Sequence, residues 1–291
     1  MGPREVLFIN KIAAPLLAAV ALASALLFAA DPEPATPAPA PTSAPAPPCR
    51  LPPAPDQPLV LFGFRIFQAS PGRLEALHAR LRDREIPLLE QHGIFTLVVF
   101  VSAGKNPGNL IYFITVAEGL TATTEGWGGF HKDPKWLEVL AETDKDGPLM
   151  ARELRERLNL IHWSPKFPPD GTSMEPRVFE LRMHTSPDRS KHAALTRWFR
   201  DHTVKLLEKH GMQNLVYWTP EVNPDNAPRL VYLLGHESTE AATASFSAFR
   251  QDPEWLEVKE QSEKMAGDSL TAEKNGVVSQ FLVATEYSPL E

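Results

Sequence analysis

The chain has 291 residues and a net charge of −7, from 29 Lys+Arg against 36 Asp+Glu. That length suits two modest domains with real cores, and the acidic balance argues against a nucleic-acid partner, because phosphate neutralisation needs a basic face. A single cysteine excludes an intramolecular disulfide framework and any multi-cysteine zinc or iron–sulfur site.

The chain opens with MGPREVLFINK, carrying Arg4 and Lys11, followed by the apolar stretch Ile12–Ala30 with small residues at Ala23, Ser24 and Ala25. Residues 1–30 read as a secretory signal peptide, with a retained N-terminal anchor as the alternative. Residues 31–58 hold 12 of the 29 prolines, which would break helices and sheets if dispersed through a fold. Clustered here, they make a Pro/Ala-rich disordered spacer. Cys49 lies in that spacer, far from the apolar stretch, so it is no lipid anchor. The folded part is expected to be exported, periplasmic or extracellular, where halves without a thiol are safe from oxidation.

The rest of the chain repeats itself. Phe62-Gly63-Phe64-Arg65 is echoed by Phe179-Glu180-Leu181-Arg182, and Leu88–Gly93 by Leu206–Gly211. Asp133-Pro134-Lys135-Trp136 is echoed by Asp252-Pro253-Glu254-Trp255, and Trp163-Ser164-Pro165 by Tyr287-Ser288-Pro289. The matches keep their order at an offset of about 120 residues, so residues 59–165 and 177–291 are two copies of one domain joined by the turn-rich linker 166–176.

Each copy reads strand, helix, strand, strand, helix, strand. In the second, Val178–His184 alternates, with Phe179, Leu181 and Met183 on one face. Residues 190–210 are helical, with Leu195, Trp198, Phe199, Leu206 and Leu207 on the apolar stripe, and Gly211 suits a left-handed C-terminal position. The same count puts His202 on that stripe. Met212–Thr219 and Arg229–His236 read as a strand pair, Asp252 as the N-cap of a helix with proline first, and Val277–Tyr287 as the last strand. In the first copy Pro87 is expected to kink the long helix, and Gly126–Gly129 to be looser than its Ala/Ser-rich counterpart. The order is the ferredoxin-like β-α-β-β-α-β motif, whose four-stranded sheet has helices on one face only. Its bare face needs a second sheet. The fold class is therefore α+β, two tandem ferredoxin-like domains packing sheet to sheet as an intrachain barrel and pseudo-dimer.

Phe-x-Leu-Arg on the first strand, a helix ending in Lys-His-Gly, Tyr232-x-x-x-His236-Glu237-Ser238 and Asp252-Pro-x-Trp255 resemble the NIPSNAP domain. The resemblance covers nearly all of residues 178–289. Residues 60–165 look like a diverged copy with Val116-Ala117-Glu118 in place of His-Glu-Ser. The resemblance implies a dimeric α+β barrel and a role in binding rather than an established reaction. The wider superfamily implies the alternative of a cofactor-independent oxygenase, an isomerase or a haem-handling enzyme.

Arg65 and Arg182 stand at equivalent mid-strand positions, on the face opposite the aromatic residues, and are expected to meet an anionic or carbonyl-bearing ligand in the inter-sheet cavity. The plainer alternative is a structural ion pair with Glu180 that holds the sheets in register. Alternation puts His184 beside Arg182, and His236 ends the third strand. Tyr217 and Tyr232 line adjacent strands and could edge the cavity. Arg65, Glu180, Arg182, His184, Tyr217, Tyr232 and His236 are thus the ligand-binding candidates. No histidine pair has a diagnostic metal spacing, so no cofactor or metal is expected, with haem or a metal as the alternative. His92 and His210 sit at helix C-termini as dipole partners. There is no glycine-rich phosphate loop, Gly-x-Ser-x-Gly elbow or His-Glu-x-x-His pair. The expected function is binding of a small molecule or protein partner in or around the barrel. Membrane contact is limited to the N-terminal segment if it is retained, and further homo-oligomerisation stays open.

Overall fold

Both copies fold in the expected order. The computed structural model describes residues 60–167, 178–221 and 227–289; the leader, the spacer with Cys49 and most of the linker lie outside the described residues. The first half runs β1 (Val60–Ala69), α1 (Leu74–Arg80), a π-helical turn (Leu81–Glu85), α2 (Ile86–Gln91), β2 (Phe95–Ser102), β3 (Leu110–Glu118), α3 (Gly119–Phe130), α4 (Pro134–Thr143) and β4 (Met150–Leu160). The second runs β5 (Val178–Thr185), α5 (Arg189–Trp198), a π-helical turn (Phe199–Thr203), α6 (Val204–Lys209), β6 (Gln213–Pro220), β7 (Arg229–His236), α7 (Thr239–Gln251), α8 (Pro253–Ala266) and β8 (Val277–Ala284).

All eight strands close into one barrel in the order β1-β3-β2-β8-β5-β7-β6-β4, with β4 returning to β1. The halves meet edge to edge at two equivalent seams. Phe100–Ser102 of β2 pair antiparallel with Ala284–Leu282 of β8, and Leu158–Leu160 of β4 with Pro220–Trp218 of β6. Each half thereby covers the strand edges and the bare face that the other would expose.

The strand faces are the reverse of the sequence expectation. Phe62, Phe64, Ile66, Phe179, Leu181 and Met183 point into the barrel and join Phe100, Tyr112, Leu158, Trp218 and Leu233 in one interior cluster. Rings from the two halves touch there, Phe100 against Phe179 at 4.8 Å and Phe62 against Trp218 at 5.5 Å. Side chains can fill an eight-stranded barrel, and these do, so the interior is a core and not the expected ligand cavity. Arg65, Glu180, Arg182, His184, Tyr217 and Tyr232 lie on the other face, beneath the helices, because a dry lumen tolerates few charges. One pair does lie inside. Arg229 bonds Glu156, and the strand alternation that aims Val231, Leu233, Leu154 and Leu158 inward aims these two as well. This pair crosses between the halves, as Arg157–Glu221 does at the surface, whereas Arg182–Glu180 stays within one half.

Three further expectations change. The π-helical turn adds a residue to the helical register, which turns His202 outward and buries Thr203 instead. The same turn occurs in both halves, although only the first has a proline after it, so Pro87 is not its cause. Gly126 is tightly packed, since a Cβ there would lie 2.5 Å from the His92 carbonyl oxygen. The predicted caps form: Asp133 accepts from the Lys135 amide at 2.8 Å and Asp252 from the Glu254 amide at 2.9 Å. The second oxygen of each binds His92 or His210, at 2.8 and 2.7 Å. Gly93 and Gly211 end their helices with φ of +73° and +77°, as left-handed C-terminal residues should.

Trp218 is fully buried between Phe62 and Phe167. Trp218→Ala is expected to cost about 3–5 kcal/mol, read as a lowered urea midpoint. Because the core is shared, both halves should still unfold in one transition.

Candidate functional site

Six of the seven candidate residues converge in the second half. On β5, alternation aims Glu180, Arg182 and His184 at the helices, opposite Leu234, Tyr232 and Leu230 of β7. Arg182 donates from Nη1 to Glu180 Oε1 at 2.6 Å and from Nε to the Tyr232 hydroxyl oxygen at 2.9 Å. His236 donates from Nε2 to Glu180 Oε2 at 3.0 Å. The Tyr232 hydroxyl lies 3.1 Å from His184 Nε2, so with its oxygen accepting from Arg182 it donates its proton to the imidazole. Tyr217 stacks on Tyr232 at 5.1 Å and donates to Asn214.

The network closes around Glu180 and Arg182. Burial would raise Glu180, but the Arg182 charge and the His236 bond outweigh it and hold the carboxyl below its ordinary value. Burial opposes the Arg182 charge too, and Glu180 more than restores it. Phe246 caps the guanidinium at 4.3 Å, and His236 and Glu180 are each about 1% exposed. His184 is pushed down to about 3, first by burial and then by the Arg182 charge. It is neutral, and its Nδ1 is buried without a hydrogen bond. Tyr232 and Glu180 bind the two imidazoles, and among the described residues no three His, Cys, Asp or Glu side chains converge to hold a metal ion.

Arg65 stands alone in the equivalent place of the first half, in different company. It bonds Glu153 of β4, which also accepts from Arg155, and its guanidinium lies 3.5 Å from the Trp127 ring. Beside it, Arg80 donates to Asp144 Oδ1 at 3.0 Å and faces Trp136 at 5.6 Å. Here the helix layer leaves a cleft of about 180 Å³, lined by these groups and by Leu77, Phe130, Met150 and Glu85. Glu85 is buried and meets Arg80 Nε in a long ion contact of 3.9 Å. Arg80 Nε is itself buried and unpartnered. Desolvation raises Glu85 to about 7 against the pull of Arg80 and Arg65.

Sequence reasoning missed Arg80, Glu85, Trp127, Glu153 and Arg155. The alternation of Glu153 and Arg155 on β4, opposite Phe67 and Arg65, was the available signal. Glu85 had none, because the π-helical turn places it.

The NIPSNAP family model matches residues 179–289, so the second half carries a NIPSNAP domain. No curated protein matches the chain. Among solved structures it is similar to a NIPSNAP family protein of unknown function from Agrobacterium tumefaciens, at 20% identity over 37% of this chain and 94% of that one, with a TM-score of 0.32. A NIPSNAP-like domain protein from Burkholderia xenovorans is 19% identical over 39% and 95%, with a TM-score of 0.32. An anthrone oxidase-like protein is 8% identical over 79% and 93%, with a TM-score of 0.48.

His184 aligns with Phe67 of the first half, which makes His184→Phe a natural substitution. The folded protein keeps this imidazole neutral down to about pH 3, whereas the unfolded chain protonates it near 6.5. Its share of stability is therefore present above about pH 6.5 and is lost as pH falls toward 3. His184→Phe should flatten the acid limb by up to about 1.4 kcal/mol per pH unit in that window. Urea midpoints of both proteins from pH 7 to pH 4 test this.

Proposed function

We propose that this protein is an exported NIPSNAP-domain binding protein whose small-molecule ligand seats in the helix–sheet cleft of the first half. The observation that carries the reading is the contrast between the two equivalent places. In the second half Phe246 and the Glu180–Arg182 network occupy the space; in the first, an open cleft holds a buried carboxyl whose ion contact with Arg80 is long, at 3.9 Å. Native proteins rarely leave a buried charged group so loosely paired, and a concave site with convergent polar groups and a shifted carboxyl is the usual setting for a ligand. Arg182, His184 and His236 then act as support for the fold. Export rests on the basic, apolar and small-residue pattern of residues 1–30 and on the absence of cysteine from the two halves. The reading carries no cofactor.

Native mass spectrometry of the protein purified from its own host tests both parts. The expected spectrum is a chain lacking the leader, with one small organic molecule bound. Met150→Trp, which fills the cleft, should remove the adduct while circular dichroism stays unchanged. An adduct that survives Met150→Trp, or its absence from the wild-type chain, would contradict the cleft reading.

A further inference from the structure

The charge inventory of the cleft narrows the ligand class. Three guanidiniums line it, from Arg65, Arg80 and Arg155. Glu153 is shared between Arg65 and Arg155, and Asp144 takes Arg80. The third acid, Glu85, forms no hydrogen bond with any of them. If Glu85 holds a proton, the site is left with one positive charge. Its walls of Leu77, Phe130, Trp136, Leu140 and Met150 are apolar, and its volume of about 180 Å³ admits a body of one ring or a short chain.

We infer that the cleft takes a compact monocarboxylate, whose charge balances the spare guanidinium, whose apolar body lies on the Trp136 and Phe130 wall, and whose head group accepts a proton-bearing hydrogen bond from the Glu85 carboxyl. The inference rests on reading the cleft as a ligand site and adds what that site selects. An ammonium ligand is the opposite choice, and it is disfavoured because it would enter among three arginines, with Arg65 already covering the Trp127 ring. Arg80 Nε, 3.9 Å from Glu85 Oε2 and without a hydrogen bond, is a second donor that the same head group can engage.

The bond requires Glu85 to be a donor. Burial pushes Glu85 up to about 7, and it is faced by Arg80 from α1, Arg65 from β1, Glu153 and Arg155 from β4, and Tyr287 from the C-terminal segment. Asp144 and His131 line the same cleft. Binding of a carboxylate therefore keeps the proton on Glu85 and weakens once pH passes about 7, where that proton must be taken from solution.

The test is isothermal titration of the full chain with benzoate, benzylammonium and benzyl alcohol, three probes of one size and different charge, at pH 6 and pH 8.5. Benzoate stays ionised throughout. Benzoate should bind best at pH 6 and roughly ten-fold or more weakly at pH 8.5, with proton uptake seen as a heat that depends on the buffer. Glu85→Gln, whose amide donates at either pH, should bind benzoate equally at both. If benzylammonium or benzyl alcohol binds as well as benzoate, the carboxylate class is wrong while the cleft remains a ligand site. Equal benzoate affinity of the wild-type chain at both pH values would overturn the role of Glu85, whether or not the glutamine variant folds. Failure of all three probes would overturn the inference, and the adduct measurement above would then decide separately whether the cleft binds anything.

Discussion

The filled lumen of the closed barrel is the constraint from which the rest of the molecule follows. Eight strands enclose a lumen that side chains can fill, and here they do. Once Phe62, Phe64, Phe100, Phe179 and Trp218 occupy that space, any charge aimed inward must bring its own partner. Arg229 and Glu156 do so, one from each half. A single half would leave this apolar face and two strand edges in water. Joining two copies in one chain supplies the missing half without the loss of translational freedom that association of separate copies entails.

Charges excluded from the lumen collect between sheet and helices, and there the two halves part company. The same arginine position is partnered in two ways. In the second half Glu180 comes from two residues earlier on the same strand and is locked by His236. In the first half the strand register puts Gly63 and Ala117 in those places, the latter one residue past the sequence match, so the acid comes from the neighbouring strand as Glu153. The aromatic caps are equivalent, Phe246 over Arg182 and Trp127 over Arg65. Sourcing the carboxylate from the side rather than from beneath leaves the first half with a cleft where the second has a sealed network.

Much of this was legible in the residues. Two ordered copies, the strand and helix order, the aspartate caps, the left-handed glycines and the equivalence of Arg65 and Arg182 all follow from local chemistry. The convergence of Glu180, Arg182, His184 and Tyr232 also follows, since alternation places the first three on one face. What alternation does not say is which face turns inward. Both faces of β5 are covered here, one by the facing sheet and one by helices, so a mixed polar face suits only the layer with a wet periphery. Trp127 was written off with its glycine neighbours as loose, although Gly126 is what lets α3 approach the His92 carbonyl. His202 and Glu85 were misplaced or missed for one reason: a π-helical turn shifts the helical register, and nothing in a 3.6-residue count announces it.

That turn also connects the fold to the site. In both halves its last residue, Glu85 or Thr203, is carried into the buried layer; the Thr203 hydroxyl finds no hydrogen bond, and Glu85 meets Arg80 only at 3.9 Å. The cost differs greatly, because a neutral hydroxyl is cheap to desolvate and a carboxyl is not. In the second half, Trp198 stacked on Trp255 at 4.8 Å stands where the first half has Arg80 facing Trp136. The second half thus presents the milder group where aromatic packing closes the layer. The first presents the costly group where the layer stays open and a bound molecule can offset the cost. A buried acid held only by a long ion contact weakens a fold unless something completes it, and the cleft in front of Glu85 is the place where completion by a ligand is sterically allowed.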